Sequence, residues 1–230
     1  MKHGVLHILN DFILGRIDIA RLSFGVLSLI PKVQGADHIS QFRPIALINV
    51  IFKIVSKAFA TRLDPIENRV ISPNQTAFIK GRFILDGALA LQEIVHELKK
   101  KKLGGVSLKI DFEKAYDRVN GEFLTEVLRR KGFDAGVIHR LMQPVQGGQT
   151  AISINGEMGP FFRNKRGVRQ GDPLSPLLFN FAAEALSAML FTASAAGHIQ
   201  GVMLHLIPGG ISVGDRRKKT NFFLPTITIN

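Results

Sequence analysis

Cysteine is absent from this 230-residue sequence, which excludes disulfides and thiolate metal sites and leaves the redox compartment undetermined. A Mg2+-type site stays open, because hard cations take the oxygen ligands that carboxylates supply. Carboxylates are themselves in the minority: 18 Asp and Glu stand against 30 Lys and Arg, and no two acidic residues are adjacent. The resulting formal charge of +12 attracts polyanions, whether nucleic acid or an anionic membrane surface, without choosing between them. Internal repeats and low-complexity linkers are also missing; only short Gly and Pro punctuation separates the periodic segments. The opening MKHGVLHILND meets Asn10 and Asp11 after a short apolar stretch, so no h-region or cleavage site follows and no signal peptide is expected. The longest apolar stretch, roughly Pro173–Phe191, is interrupted by Asn180 and Glu184 and falls short of the roughly 20 residues a bilayer span needs. A buried helix and no membrane are expected.

What is present is enough to fold. Apolar residues make up 46% of the chain, sufficient for a substantial core in one large domain or two small ones. Residues 46–63 place Ile48, Phe52, Val55, Phe59 and Leu63 on one helical face, predicting an amphipathic helix that stops near Pro65. A second helix is predicted from about Leu85 to Lys100 with Ala88, Leu91, Val95 and Leu98 in register, its closing run Lys99–Lys102 suiting the negative end of the helix dipole. In VSLKID (106–111), apolar and polar residues alternate as in a half-buried strand. Asn120 is a candidate cap for a helix carrying Phe123, Leu124, Val127 and Leu128 and ending before Gly132. TAISIN (150–155), a turn at Asn155 and Gly156, and FFRNK (161–165) read as a hairpin. Ser175 and Pro176 read as N-cap and first-turn proline of the apolar helix. This interleaving of strands and helices indicates an α+β domain.

Two segments carry candidate chemistry. Asp111 ends a strand, and Tyr116 and Asp117 follow closely; a lone strand-end Asp is most often a cap or turn residue. Nucleotidyl transfer needs divalent metals about 3.5–4 Å apart between carboxylates, of which Asp111 supplies one part. The second segment, RGVRQGDPLSPLLFN (166–180), sets Arg166, Arg169 and Gln170 beside Gly171 ahead of a helix. Glycine lets backbone approach a ligand, Arg pairs with phosphate, and Gln both donates and accepts. A polar loop ahead of a buried helix is the plainer reading.

In order and spacing, LIPK (29–32), RPIAL (43–47), Arg62, Gln75, Phe78, Gly81 with Arg82, DFEKAYD (111–117) and GVRQGDPLSPLLFN (167–180) resemble the reverse transcriptases of non-LTR, LINE-type retrotransposons. The wording of RPIAL and DFEKAYDRV is closer to that type than to group II intron or retron relatives. The resemblance implies an RNA-directed DNA polymerase that binds an RNA template, a DNA primer and deoxynucleotides and uses Mg2+, in the nucleus or cytoplasm. It implies a right-hand fingers and palm fragment with an incomplete palm sheet and no thumb: fingers over 1–105, palm over 106–212 with a fingers hairpin returning at about 120–168, and an unmatched tail at 213–230. By the same resemblance Asp111 is the first metal-binding aspartate, and Tyr116 is the aromatic gate that collides with a ribose 2′-hydroxyl. Gln170 and Gly171 belong to the loop against the nascent base pair. Arg43, Gln75, Gly81 and Arg82 belong to the fingers that handle template and nucleotide phosphates. Lys53, Lys57 and Lys99–Lys102 read as a solvated basic face.

The family places two consecutive aspartates at a hairpin tip after the apolar helix. GGIS (209–212) runs up to that place, but VGDRRKKTNFFLPTITIN follows, and Asp215, beside Arg216 and Arg217, is the only acid after Glu184. Neighbouring cations repel a metal ion. The expectation is a family member that does not polymerise alone, the alternative being a non-catalytic nucleic-acid-binding remnant; a frameshift or splice product would account for the tail.

Overall fold

β-branched and aromatic residues cluster in short runs between longer helical periods, and the chain folds accordingly. The computed structural model describes residues 2–18, 22–102 and 112–198, a mixed α+β architecture with a partial sheet. By compactness it divides into two units, Met1–Leu63 with Lys114–Phe179, and Asp64–Glu113 with Asn180–Asn230.

The first unit is built on a five-stranded sheet. Strands β1 (Phe24–Pro31) and β2 (Phe42–Ile48) pair antiparallel through a short 3-10 turn at Ile39–Gln41. β3 (Gln149–Ile154) lies parallel to β1 on its other side, followed by β4 (Glu157–Met158) and β5 (Phe162–Arg163), both antiparallel to β3. The predicted hairpin is present, with Asn155 and Gly156 at φ 52° and 86°, the left-handed pair that a two-residue turn between twisted strands requires. Ala46 and Ile48 of β2 point into a core with Phe12 of helix α1 (Lys2–Ile13) and with Phe52 and Val55 of α2 (Val50–Val70). Three further helices follow: α4 (Ala115–Arg118), α5 (Gly121–Arg130) and α6 (Ala135–Gln146), after α3 (Ile84–Lys100) of the second unit. Asn120 caps α5 as expected, accepting from the Glu122 and Phe123 amides at 2.8 and 3.2 Å, and Leu124, Val127 and Leu128 are buried.

Several expectations are corrected. Residues 46–48 belong to β2 and not to the following helix, because β1 offers them a ladder partner (Ala46 opposite Leu27). Helix α2 runs through Pro65 to Val70; burial of Leu63 and Glu67 on either side of the proline outweighs the hydrogen bond it removes. The division between units falls one residue before it. Helix α3 buries Gly87 and Ala90 rather than the Ala88 and Val95 line, since small residues permit close approach: a Cβ at Gly87 would lie 3.4 Å from the Thr76 hydroxyl. Ser175 is the first helical residue of α7 (Ser175–Ala195) and not its cap. At 21 residues, α7 is also long and apolar enough to cross a membrane by length and composition. Its first half is nonetheless packed within protein, Asn180 being fully buried, whereas Met189 and Phe191 near its end are exposed. The strand expected at Val106–Asp111, the GGIS segment and the tail lie outside the described residues.

Candidate active site

Three of the sequence segments singled out above converge in the first unit. The loop entering α7 hydrogen-bonds backbone to backbone with α4 and the residue after it, Gly167 donating to the Val119 carbonyl at 2.9 Å and Val168 to the Tyr116 carbonyl at 2.8 Å. Further along, the Ala46 amide of β2 donates to the Gln170 carbonyl at 3.2 Å. Two glycines make this possible. Gly167 has φ +87°, and a Cβ there would lie 2.7 Å from the Asp117 carbonyl oxygen; Gly171 has φ +102°, and its Cβ would meet the Ala46 carbonyl at 3.1 Å. Left-handed backbone pressed against backbone is a place only glycine fills without strain.

Side chains anchor the same loop. Asp172 is buried, accepts from the Ser56 hydroxyl of α2, from the Leu174 amide at 3.4 Å and from the Ser175 hydroxyl at 3.3 Å. Burial pushes its carboxyl above the usual range, against the pull of those donors and of Arg169. Arg169, whose residue type suggested a phosphate partner, turns inward: it donates to the Ser23 carbonyl at 2.6 Å and lies over the Phe52 ring at 6.0 Å. It fills the space that a Cβ at Gly148 would take. Neither Arg169 nor Asp172 was distinguished as an anchor by sequence; the only signal was their place in RGVRQGD.

Tyr116 stacks on Phe179 with ring centroids 5.0 Å apart and planes inclined by 12°, and burial pushes its phenol pKa further up. Arg43 is exposed on β2, opposite Ile30 of β1. Thus Arg43, Tyr116, Gln170 and Gly171 all belong to the first unit. Gln75, Gly81 and Arg82 belong to the second, and Asp111 lies outside the described residues.

In the second unit Arg82 caps the end of α2. Its guanidinium donates to the carbonyls of Gln75 (2.7 Å), Ile71 (3.0 Å), Asn68 (3.4 Å) and Ser72, joining the last turn of α2 to the segment after it with a cation at the negative end of the dipole. Gln75 donates to the Asn180 side chain at 3.2 Å, and Asn180 donates to Glu67 at 2.7 Å. Glu184 accepts from the Ser72 amide at 3.0 Å. Glu67 is fully buried, and desolvation, reinforced by Asp64 and opposed by Asn180 and Arg82, raises its pKa to about 7. Gly81 is exposed at φ +82° with open space around it.

No cluster of three or more His, Asp and Glu able to hold a metal ion is present among the described residues. Outside them, the sequence offers Asp111 and, after Glu184, only Asp215 between Gly214 and two arginines. This donor set does not fit a two-metal cage.

A family model described as reverse transcriptase (RNA-dependent DNA polymerase) matches residues 30–203. The chain belongs to that family. It is 33% identical over 165 residues to the transposon TX1 uncharacterized 149 kDa protein of Xenopus laevis, covering 72% of this chain and 13% of that one. It is 31% identical to a Pol polyprotein from the retrotransposable element R2 of Nasonia vitripennis (69% and 15% covered) and 30% identical to that of element R2DM of Drosophila melanogaster (68% and 15%). These relatives identify a reverse transcriptase domain of the non-LTR type, and the chain spans about one seventh of their length. Among solved structures, apo telomerase from Candida tropicalis, truncated from the C-terminal domain, aligns with a TM-score of 0.44 at 18% identity, over 75% of this chain and 40% of that one.

Two predictions follow from the geometry of this reverse transcriptase domain. Gly167→Ala combines a left-handed φ with overlap on Asp117, and a loss of about 2 kcal/mol or more is expected; urea unfolding reads it, and a loss below about 0.5 kcal/mol would contradict the packing. Glu67, with its pKa raised from 4.5 to about 7, binds more protons folded than unfolded across that interval. Stability therefore falls as pH rises through it. Urea midpoints measured across the interval should decline more steeply for the unchanged chain than for Glu67→Gln, in which Asp172 still contributes to the slope, and parallel slopes would refute the assignment.

Proposed function

We propose that this chain supplies the fingers and the first part of the palm of an RNA-directed DNA polymerase of a non-LTR retroelement, with fingers over 1–105 and palm over 106–212, a fingers hairpin returning at about 120–168. The observation that carries the reading is the junction of RPIAL, AYD and GVRQGD, three segments distant in sequence that share one backbone hydrogen-bonded frame. Tyr116, held flat on Phe179, would present a fixed ring beneath the incoming sugar. Gln170 and Gly171, whose backbone is fastened to β2, would lie along the nascent base pair. Arg43 and Gly81 are exposed and suited to direct contact with phosphates, whereas Gln75 and Arg82 act through the backbone they hold. Template RNA, primer DNA and deoxynucleotides are the substrates this reading assigns.

Reverse transcriptases use divalent metal ions; Mg2+ is the one proposed here, with Asp111 as the ligand. One carboxylate does not replace the cage, and electrostatic stabilisation of the transferring phosphoryl group is the main term in this chemistry. The chain is therefore expected to bind nucleic acid without extending a primer. Primer extension on an RNA template with Mg2+ or Mn2+ should give no template-dependent product, and synthesis that Asp111→Ala abolishes would overturn this part of the reading.

A further inference from the structure

A cavity of about 740 Å³ opens in the first unit, lined by none of the residues assigned above; its described walls carry side-chain amides, two aromatic rings, Arg163 and a single carboxylate, Asp18. One wall is a stripe of α6: His139, Gln143 and Gln146 lie four and then three residues apart, on one helical face. A second wall is the β3–β5 pair. Gln149 sits opposite Arg163, and Phe161, two residues before Arg163, points to the same side of the sheet. The third is Phe24 at the start of β1, whose ring meets that of Phe161 edge to face at 6.4 Å.

Polar helical stripes ordinarily face open water. Here the stripe faces two aromatic rings that are 41% and 44% exposed, so that amides and apolar rings share one cavity. The floor is rigid: Ser23 is fully buried, its hydroxyl donates to the Pro144 carbonyl at 3.2 Å, and its own carbonyl accepts from the Gln149 amide at 2.9 Å and from Arg169 at 2.6 Å. The cavity is thereby tied to the GVRQGD loop. Its volume lies within the roughly 300–1,000 Å³ of ligand-sized pockets.

Aromatic faces for stacking, side-chain amides that both donate and accept, and one arginine for a phosphate are the chemistry of a site for an unpaired nucleotide. From this geometry we infer that the cavity binds one splayed nucleotide of a single-stranded RNA, through residues other than those assigned to the polymerising centre, with the phosphate on Arg163 and turned from Asp18. The inference rests on the reading that this chain handles nucleic acid, and the net charge of +12 favours such a partner over a cationic or neutral one.

The test is fluorescence anisotropy with a short fluorescein-labelled single-stranded RNA, the same sequence as DNA, and unlabelled AMP as competitor. Phe161→Ala and Gln149→Ala should each weaken RNA binding by about tenfold with the salt dependence unchanged, because neither removes a phosphate contact. Phe161→Tyr should retain affinity. Competition by AMP alone, at concentrations that displace the RNA from the unchanged chain but not further from Phe161→Ala, would support the same pocket for a free nucleotide. An equal loss on DNA would overturn the assignment to RNA. If the unchanged chain binds no RNA at low salt, the nucleic-acid reading fails and this inference with it. If it binds and both alanine variants bind equally well, the inference alone is overturned. Should Phe161→Ala not fold, as judged by circular dichroism, Gln149→Ala decides, since that side chain is exposed and the strand pairing is carried by backbone.

Discussion

The close approach of backbone to backbone at Gly167 and Gly171 is the constraint from which the rest of the first unit takes its arrangement. With a Cβ at either position the loop before α7 would stand off from α4 and β2, and the bonds from Gly167, Val168 and Ala46 would be lost together. Once the loop is seated, Asp172 reaches Ser56 and Arg169 reaches Ser23. A buried acid and a half-buried base on one short loop are costly unless each is satisfied. Most of their polar atoms are; the Arg169 Nε and Nη1 atoms are buried without a partner. The loop is thus held by a few specific contacts, as expected of a segment that must present backbone to a ligand in one conformation.

The second unit uses a different device. Its polar residues form an inward-facing network in which Arg82 closes the end of α2 and Asn180 links Gln75 to Glu67. Buried networks of this kind favour the arrangement that pairs most of their groups; here the Glu67 Oε2 atom is buried without a hydrogen-bond partner. Gln75 and Arg82 therefore have structural occupations that their positions in the family pattern did not suggest, and any effect they have on substrate is exerted through the chain they hold in place.

Legibility in the sequence followed the range of the interaction. The Asn120 cap, the Asn155–Gly156 turn and the buried face Phe52, Val55 and Leu63 depend on neighbours a few residues away, and local pattern sufficed. The β1–β2 pair was missed because a strand is stabilised by its partner, and FRPIALI opposite FGVLSLIP shows little alternation of its own. The continuation of α2 past Pro65 was missed because burial on the far side overrode a local rule. In the candidate site, the motifs gave the positions of Tyr116, Gln170 and Gly171. They could not reveal that Arg169 turns inward, which depends on a carbonyl 146 residues earlier in the chain.

The central claim is that RPIAL, AYD and GVRQGD form one fixed frame before any substrate arrives. Amide hydrogen exchange on the free protein addresses it directly, because the amides of Ala46, Gly167 and Val168 are the donors of that frame. The account predicts that all three exchange as slowly as the buried amide of Leu124 in α5, and together. Exchange at the rate of an unstructured chain at Gly167 and Val168, with Leu124 still protected, would show that the frame is not preformed and would contradict the account.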